Sequence, residues 1–261
     1  MTEAKCDAKP LALLIPGLDG TGMMYYRQLE ALSVHYRVLP WRFRPRAHFG
    51  LSDLTRELAE GTVGEPPGTL LVVGESFGGL IALDYVLSYP ERVRLLILVN
   101  AFPYYRHRLR IRLARALVPL LEYRIAQRAK DFIVDRALLA EGIPEEDRRR
   151  YHEIVRQIHP AAYRRRLALT QRADLRPRLA NIPVPTLLLA SGRDKIVPSV
   201  AEAHFMAARI PCARVREYPK AGHALLLTPD VSLADHACYP IPGSSAEGPY
   251  IDGTGTFLSR M

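Results

Sequence analysis

Short apolar runs recur at 11–15, 36–39, 69–73 and 94–99, and again at 186–190 and 214–218. Most are Leu-, Ile- and Val-rich with little polar alternation, the pattern of strands buried on both faces of a parallel sheet. Between them lie segments of helical length at 25–33, 52–60, 77–88 and 199–208, and the first three each follow a strand. This alternation predicts βα units, hence an α/β fold with a mostly parallel sheet of about six strands flanked by helices.

The alternation stops from about 101 to 182. That stretch is rich in Arg, Leu and Ala, holds no convincing strand, and is punctuated by Pro119, Gly142-Ile143-Pro144, Pro160 and Pro177. It reads as three or four amphipathic helices inserted between two strands. The expected organisation is a core of 1–100 and 183–230, a helical insertion at 101–182, and a tail at 231–261. Pro240, Pro242, Gly243, Gly248, Pro249, Gly253 and Gly255 leave that tail too little apolar periodicity for a helix, so it is expected to be irregular.

Composition narrows the class. At 261 residues the chain fits one large domain or one domain with an insertion, and 48% hydrophobic residues can build a sizeable core, which excludes global disorder. The longest apolar stretch, 70–87, is broken by Glu75 and Asp84 and is no membrane span. The first ten residues mix acids and bases without the order of a secretory signal, so a cytoplasmic protein is expected. Cys6, Cys212 and Cys238 lie far apart, without the spacing of a zinc site or redox pair.

The net charge of +9 is concentrated in one place. Residues 101–182 carry 19 Lys and Arg against 9 Asp and Glu, and the remainder is close to neutral. No zinc-finger, RNP or basic-zipper signature accompanies the charge, so nucleic acid is not the expected partner. The Arg clusters at 148–150 and 164–166 have two readings: a solvated helix face, or a docking face for an acidic acyl carrier, an acyl-CoA head group or an anionic lipid surface.

The sharpest chemical signal is Gly74-Glu75-Ser76-Phe77-Gly78, set between a buried strand and a helix-like run. In such a strand-turn-helix elbow the serine takes a strained conformation that exposes its hydroxyl, and side chains two residues away on either side would collide, hence Gly74 and Gly78. A serine hydroxyl needs a base, and the base needs an orienting group. The strand at 186–190 leads into Ser191-Gly-Arg-Asp194, and the strand at 214–218 leads into Pro219-Lys-Ala-Gly222-His223. Ser76, Asp194 and His223 thus follow in order, each at the carboxyl end of a strand, where active groups gather in open α/β sheets. The other seven histidines lack that setting. The backbone N–H groups of Phe77 and of Leu18, in the glycine-rich loop after the first strand, are the candidate oxyanion donors. That loop lacks the GxGxxG spacing of a dinucleotide cradle.

The segments GESFGG, YPERVRLLILV, SGRDKIVP and AGHALLL together resemble the α/β-hydrolase superfamily, over about 11–227. The resemblance implies a serine hydrolase with a helical cap over its site, acting on carboxylic esters through Ser76, His223 and Asp194. A carboxylate would stand at the position of Ser76 in the dehalogenase branch. An acyl-thioesterase or acyltransferase acting on CoA- or carrier-bound acyl groups stays open, as does a non-catalytic receptor on the same fold. A small-molecule ester is the expected substrate, and no metal or organic cofactor is expected. The family's usual His-Gly after the first strand is Pro16-Gly17 here, and the first strand matches the family's third, which implies a six-stranded core. The helix expected after the His223 loop has no counterpart in the sequence, so the tail or a second copy of the chain is expected to cover that part of the sheet.

Overall fold

The computed structural model describes residues 9–117, 135–136, 138–139, 142–237, 250–251 and 257–258. Pro119, Cys6, Cys238 and the prolines and glycines at 240–249 and 253–255 therefore lie outside the described residues. Six strands, β1 (Leu11–Ile15), β2 (Arg37–Pro40), β3 (Leu70–Glu75), β4 (Val93–Val99), β5 (Thr186–Ser191) and β6 (Ala213–Tyr218), form one sheet. Its order is β2-β1-β3-β4-β5-β6 and every neighbouring pair is parallel.

Burial follows from position in the sheet. β1, β3 and β5 are buried at every residue, whereas the edge strands β2 and β6 are partly exposed. Period-two alternation divides the inner strands between two cores. Leu13, Ile15, Leu70, Val72, Leu96, Leu98 and Leu188 face a cluster that includes the helices Leu51–Gly61, Phe77–Ser88 and Ser199–Ala207. Ala12, Leu14, Leu71, Val73, Ile97 and Leu189 face the other cluster, with Tyr25, Leu32, Leu225, Leu226 and Leu233.

The chain runs from β1 outward to β2, then crosses back to place β3 on the other side of β1. That reversal opens a crevice at the carboxyl ends of β1 and β3, the switch point at which open α/β sheets bind ligands. The glycine-rich loop and Ser76 both stand there. The insertion between β4 and β5 contributes the helices Arg108–Leu117, Glu145–Arg156 and Pro160–Arg172 and a 3-10 turn at Arg176–Asn181. Among the described residues, no helix is long and apolar enough to cross a membrane.

Two local expectations are corrected. The single helix at 25–33 is a 3-10 helix, Met23–Gln28, running into a short α-helix, Leu29–Ser33. The segment after the His223 loop is not wholly irregular: Leu225–Leu227 forms a 3-10 turn and Leu233–Ala237 a short helix, and Leu233 and Ala237 are fully buried against the sheet. Farther on, Tyr250–Ile251 and Phe257–Leu258 pair as an antiparallel ladder.

Gln28 holds the C-terminal segment in place. Its Nε2 donates to the carbonyls of Leu226 (2.8 Å) and Val231 (2.9 Å), and its Oε1 accepts from the Leu233 N–H (2.8 Å). All three partners are backbone groups, so no side-chain pattern in the sequence announces them. Gln28→Ala leaves these buried groups unpaired and is expected to lower the unfolding free energy by about 2–3 kcal/mol, read by urea denaturation. Faster amide exchange should be confined to 225–237.

Candidate active site

Ser76 sits between β3 and the Phe77–Ser88 helix with φ 53° and ψ −117°, one of two described non-glycine residues with positive φ. The flanking glycines are required by close approach. A Cβ at Gly74 would lie 2.6 Å from the Gly78 carbonyl oxygen, and one at Gly78 would lie 2.3 Å from the Ile15 carbonyl oxygen. The Ser76 N–H donates to the Val99 carbonyl (2.8 Å), which ties the turn to the end of β4.

The structure brings the three chemically paired residues together. His223 Nδ1 lies 2.7 Å from Asp194 Oδ2, which fixes the tautomer with its proton on Nδ1, and Nε2 then accepts from Ser76 Oγ at 3.1 Å. The Asp194 carboxylate is fully buried. Its Oδ1 accepts from the N–H groups of Ile196 (2.8 Å) and Val197 (3.0 Å), and its Oδ2 also accepts from the Ser199 hydroxyl. Burial alone would raise the Asp194 pKa, but His223 and these donors outweigh it and hold it below the usual carboxylate range. For His223 burial acts downward, but Asp194, with a smaller contribution from Glu75, leaves the imidazole above its ordinary value. Such a serine–imidazole–carboxylate chain can activate the hydroxyl for attack on an acyl carbon.

Leu18 and Phe77 belong to the two segments that border the serine. Phe77 opens the helix that follows Ser76, and Leu18 lies in the loop after β1, where the Gly20 N–H donates to the Gly17 carbonyl (3.1 Å) and closes a turn. A Cβ at Gly17 would lie 3.8 Å from the Ser76 Cβ, so this loop runs directly past the serine. The insertion packs over the same edge: Leu167 joins Phe102, Tyr105, Ile111 and Val197, with Leu18, Tyr163 and Ile196 against them. Farther along, Tyr151, Ile154 and Val155 pack on Met24, Ala224 and Leu227. Asp147 accepts from the Tyr26 hydroxyl and from Arg27, pinning the Glu145–Arg156 helix to the core.

Three residues of this region escape sequence reasoning. Asn100, the other positive-φ residue (46°), is almost wholly buried. Its Nδ2 donates to the Ser191 hydroxyl (3.0 Å) and the His223 carbonyl (2.8 Å), and its Oδ1 accepts from the Ser191 N–H (2.9 Å). The available signal was a polar residue ending a seven-residue buried strand. Glu75 is buried beside the serine, and burial together with Asp19 pushes its pKa up to about 7. Arg166 departs from the solvated-face reading of its cluster: Arg164 is exposed, but Arg166 is 2% exposed. A surface groove of about 590 Å³ lined by Trp41, Arg42, Arg44 and Arg46 holds none of these residues. Among the described residues, no three His, Cys, Asp or Glu side chains cluster as metal ligands would.

The pattern defining the family described as "Alpha/beta hydrolase family" matches residues 12–235. A relative from Serratia proteamaculans (strain 568) that carries the name carbamate hydrolase RutD is 27% identical over 230 residues, covering 84% of this chain and 86% of its own. The pimeloyl-[acyl-carrier protein] methyl ester esterase of Aeromonas hydrophila subsp. hydrophila is 28% identical over 229 residues, covering 82% and 89%. In three dimensions the esterase EaEST from Exiguobacterium antarcticum superposes with a TM-score of 0.76 at 18% identity over 88% of this chain and 91% of that one, a likeness of fold.

The buried Glu75 has a measurable consequence. Its carboxyl is raised from 4.5 to about 7 in the fold, so its contribution to stability is present at low pH and is lost as pH rises between those values. His223, also raised, acts in the same direction. Unfolding free energy measured by denaturant between roughly pH 5 and 8 is expected to fall with pH, and Glu75→Gln should remove most of that slope.

Proposed function

The chain belongs to the alpha/beta hydrolase family, an enzyme class of hydrolases, and from that premise we propose that it cleaves carboxylic esters through an acyl-enzyme on Ser76. The observation that carries this reading is the continuous hydrogen-bonded chain from the buried Asp194 through His223 to a serine held at φ 53°. Ser76 Oγ attacks the acyl carbon while His223 Nε2 takes its proton, and the developing oxyanion accepts from the N–H groups of Leu18 and Phe77. His223 returns the proton to the leaving alcohol. Water then repeats the sequence and frees the acid. Asp194 holds the imidazole and stabilises its charged form, and its depressed pKa suits that task. The 101–182 insertion acts as a cap, with Leu167, Phe102, Tyr105 and Ile111 supplying an apolar wall for the acyl group.

A covalent probe tests the reading. An organophosphonate is expected to label the wild-type chain once, at Ser76, and Ser76→Ala should abolish labelling and lower turnover of p-nitrophenyl esters at least about a thousandfold. Labelling that persists in the variant rejects the assignment. Turnover across p-nitrophenyl esters of increasing chain length maps the acyl pocket.

The basic insertion favours a second reading, thioesterase or acyl transfer on CoA- or carrier-bound acyl groups. An Aeromonas hydrophila relative named as an esterase of a carrier-bound acyl methyl ester supports the carrier-bound substrate, though its named reaction is ester cleavage. Long-range attraction between that insertion and an acidic carrier is screened within about 10 Å at 0.1 M salt. kcat/KM for a carrier-bound or CoA-bound acyl substrate is expected to fall steeply between roughly 20 and 300 mM salt while that for p-nitrophenyl butyrate hardly changes. Replacing the exposed Arg149 and Arg164 by Glu should flatten the first curve; equal salt dependence for both substrates returns these arginines to an ordinary solvated face.

A further inference from the structure

Arg166 is a buried cation that forms no ion pair among the described residues, although the Asp19 carboxylate lies near enough to act on it electrostatically. Its Nη1 donates to the carbonyls of Leu18 (2.9 Å) and Asp19 (3.2 Å), and its buried Nε has no partner among the described residues. The guanidinium packs onto Gly20, where a Cβ would lie 2.1 Å from Nη2 and 2.3 Å from Cζ. The adjacent Asp19 carboxylate is engaged elsewhere, accepting from the Thr21 N–H (2.8 Å) and hydroxyl (2.5 Å). Desolvation accordingly lowers the Arg166 pKa from its ordinary value. A buried charge so incompletely paired is a poor stabiliser, and an apolar side chain of similar volume would often serve the fold as well. Its placement points to another role.

The route from Arg166 to the serine runs through two peptide groups. The Asp19 carbonyl, which accepts from Arg166, belongs to the same peptide as the Gly20 N–H. That N–H donates to the Gly17 carbonyl (3.1 Å), which belongs to the same peptide as the Leu18 N–H. A peptide that accepts at oxygen becomes a stronger donor at nitrogen, because electron density shifts toward the oxygen, with a gain of about 10–30% per bond. The second Arg166 bond, to the Leu18 carbonyl, fixes the remaining peptide of the turn and prevents it from rotating.

We propose that Arg166 is a positioning residue of the oxyanion hole: from the insertion it orients and polarises the 17–20 turn, so that the Leu18 N–H meets the transition state as a strengthened, preorganised donor. The inference rests on the reading that Leu18 serves the oxyanion of an acyl transfer at Ser76. The insertion is then part of the catalytic electrostatics as well as a wall of the pocket. Arg166 touches no reacting atom; it acts through the loop.

Arg166→Met removes the charge and both donors, Arg166→Gln keeps a donor without the charge, and Arg166→Lys keeps both. With p-nitrophenyl butyrate, kcat is expected to fall about tenfold in the Met variant, less in Gln and within about threefold of wild type in Lys, with KM moving less than about twofold. The deciding readout is infrared. In an acyl-enzyme trapped from a slowly deacylating, carbon-13-labelled ester, the acyl C=O stretch should move to higher wavenumber in Met and Gln and return toward wild type in Lys. A purely structural arginine would lower the melting temperature without ordering the stretch in this way. If the Met variant does not fold, the Gln and Lys pair carries the same comparison. Unchanged kcat in Gln, or loss of kcat with an unmoved stretch, overturns the role of Arg166. Failure of the wild-type chain to label at Ser76 overturns the underlying esterase reading instead.

Discussion

The carboxyl edge of the sheet is organised by how closely the Phe77–Ser88 helix is drawn against the end of β1. At Gly78 there is no room for even one methyl group, since it would lie 2.3 Å from the Ile15 carbonyl oxygen and 2.6 Å from that of Pro16. To enter the helix at that distance, the chain must turn out of β3 within a single residue, and Ser76 takes the positive φ that this demands. Strain of this kind costs about 1–3 kcal/mol and persists only where the surroundings over-determine it. Here β3 is buried at all six residues and the helix is buried over most of its length. The same approach draws the loop after β1 past the serine, so one packing constraint both sets the hydroxyl against His223 and brings the proposed oxyanion donors beside it.

A second strained residue distributes that order to the remaining loops. Asn100 follows Val99, whose carbonyl accepts from the Ser76 N–H, and its side chain reaches Ser191 at the end of β5 and the backbone of His223 after β6. One buried amide thus links the loops that carry Ser76, Asp194 and His223. A fully satisfied polar network in a low-dielectric interior is stiff, because moving any member leaves others unpaired. The 3.1 Å approach of His223 to Ser76 is held from behind by this network and from the side by Asp194.

What could be read from the sequence was local. Each inner strand announces itself as an unbroken apolar run, and the elbow and the loops of Asp194 and His223 are short strings directly after such runs. Their convergence follows from the parallel topology, which brings all those strand ends to one edge. Gln28, Asn100 and Arg166 escaped for the opposite reason. Gln28 reaches backbone about 200 residues away, Asn100 partners 91 to 123 residues away and Arg166 partners 147 and 148 residues away, and most of those partners are backbone groups that any residue supplies. The Leu233–Ala237 helix was missed because five residues are too few for periodicity to register; tertiary burial of Leu233 and Ala237 supports it.

The arginines of the insertion separate two properties that composition merges. Arg106 pairs with the buried Glu202, and that pair is already balanced in the net charge. Arg165 and Arg166 instead direct donors to the carbonyls of Phe49, Leu18 and Asp19, which accept hydrogen bonds without cancelling charge, and the Arg166 Nε finds no acceptor among the described residues. The field that a distant anion feels depends on net charge, so these side chains contribute to attraction even where they offer no contact. Of the same segment, Arg149 and Arg164 are exposed and open to contact at the surface. Under the two proposals, one Arg-rich segment would steer an acidic partner through its sum and brace the turn beside Ser76 through a single member. The two roles differ in ionic-strength dependence, because salt screens the exposed field and hardly reaches the buried guanidinium.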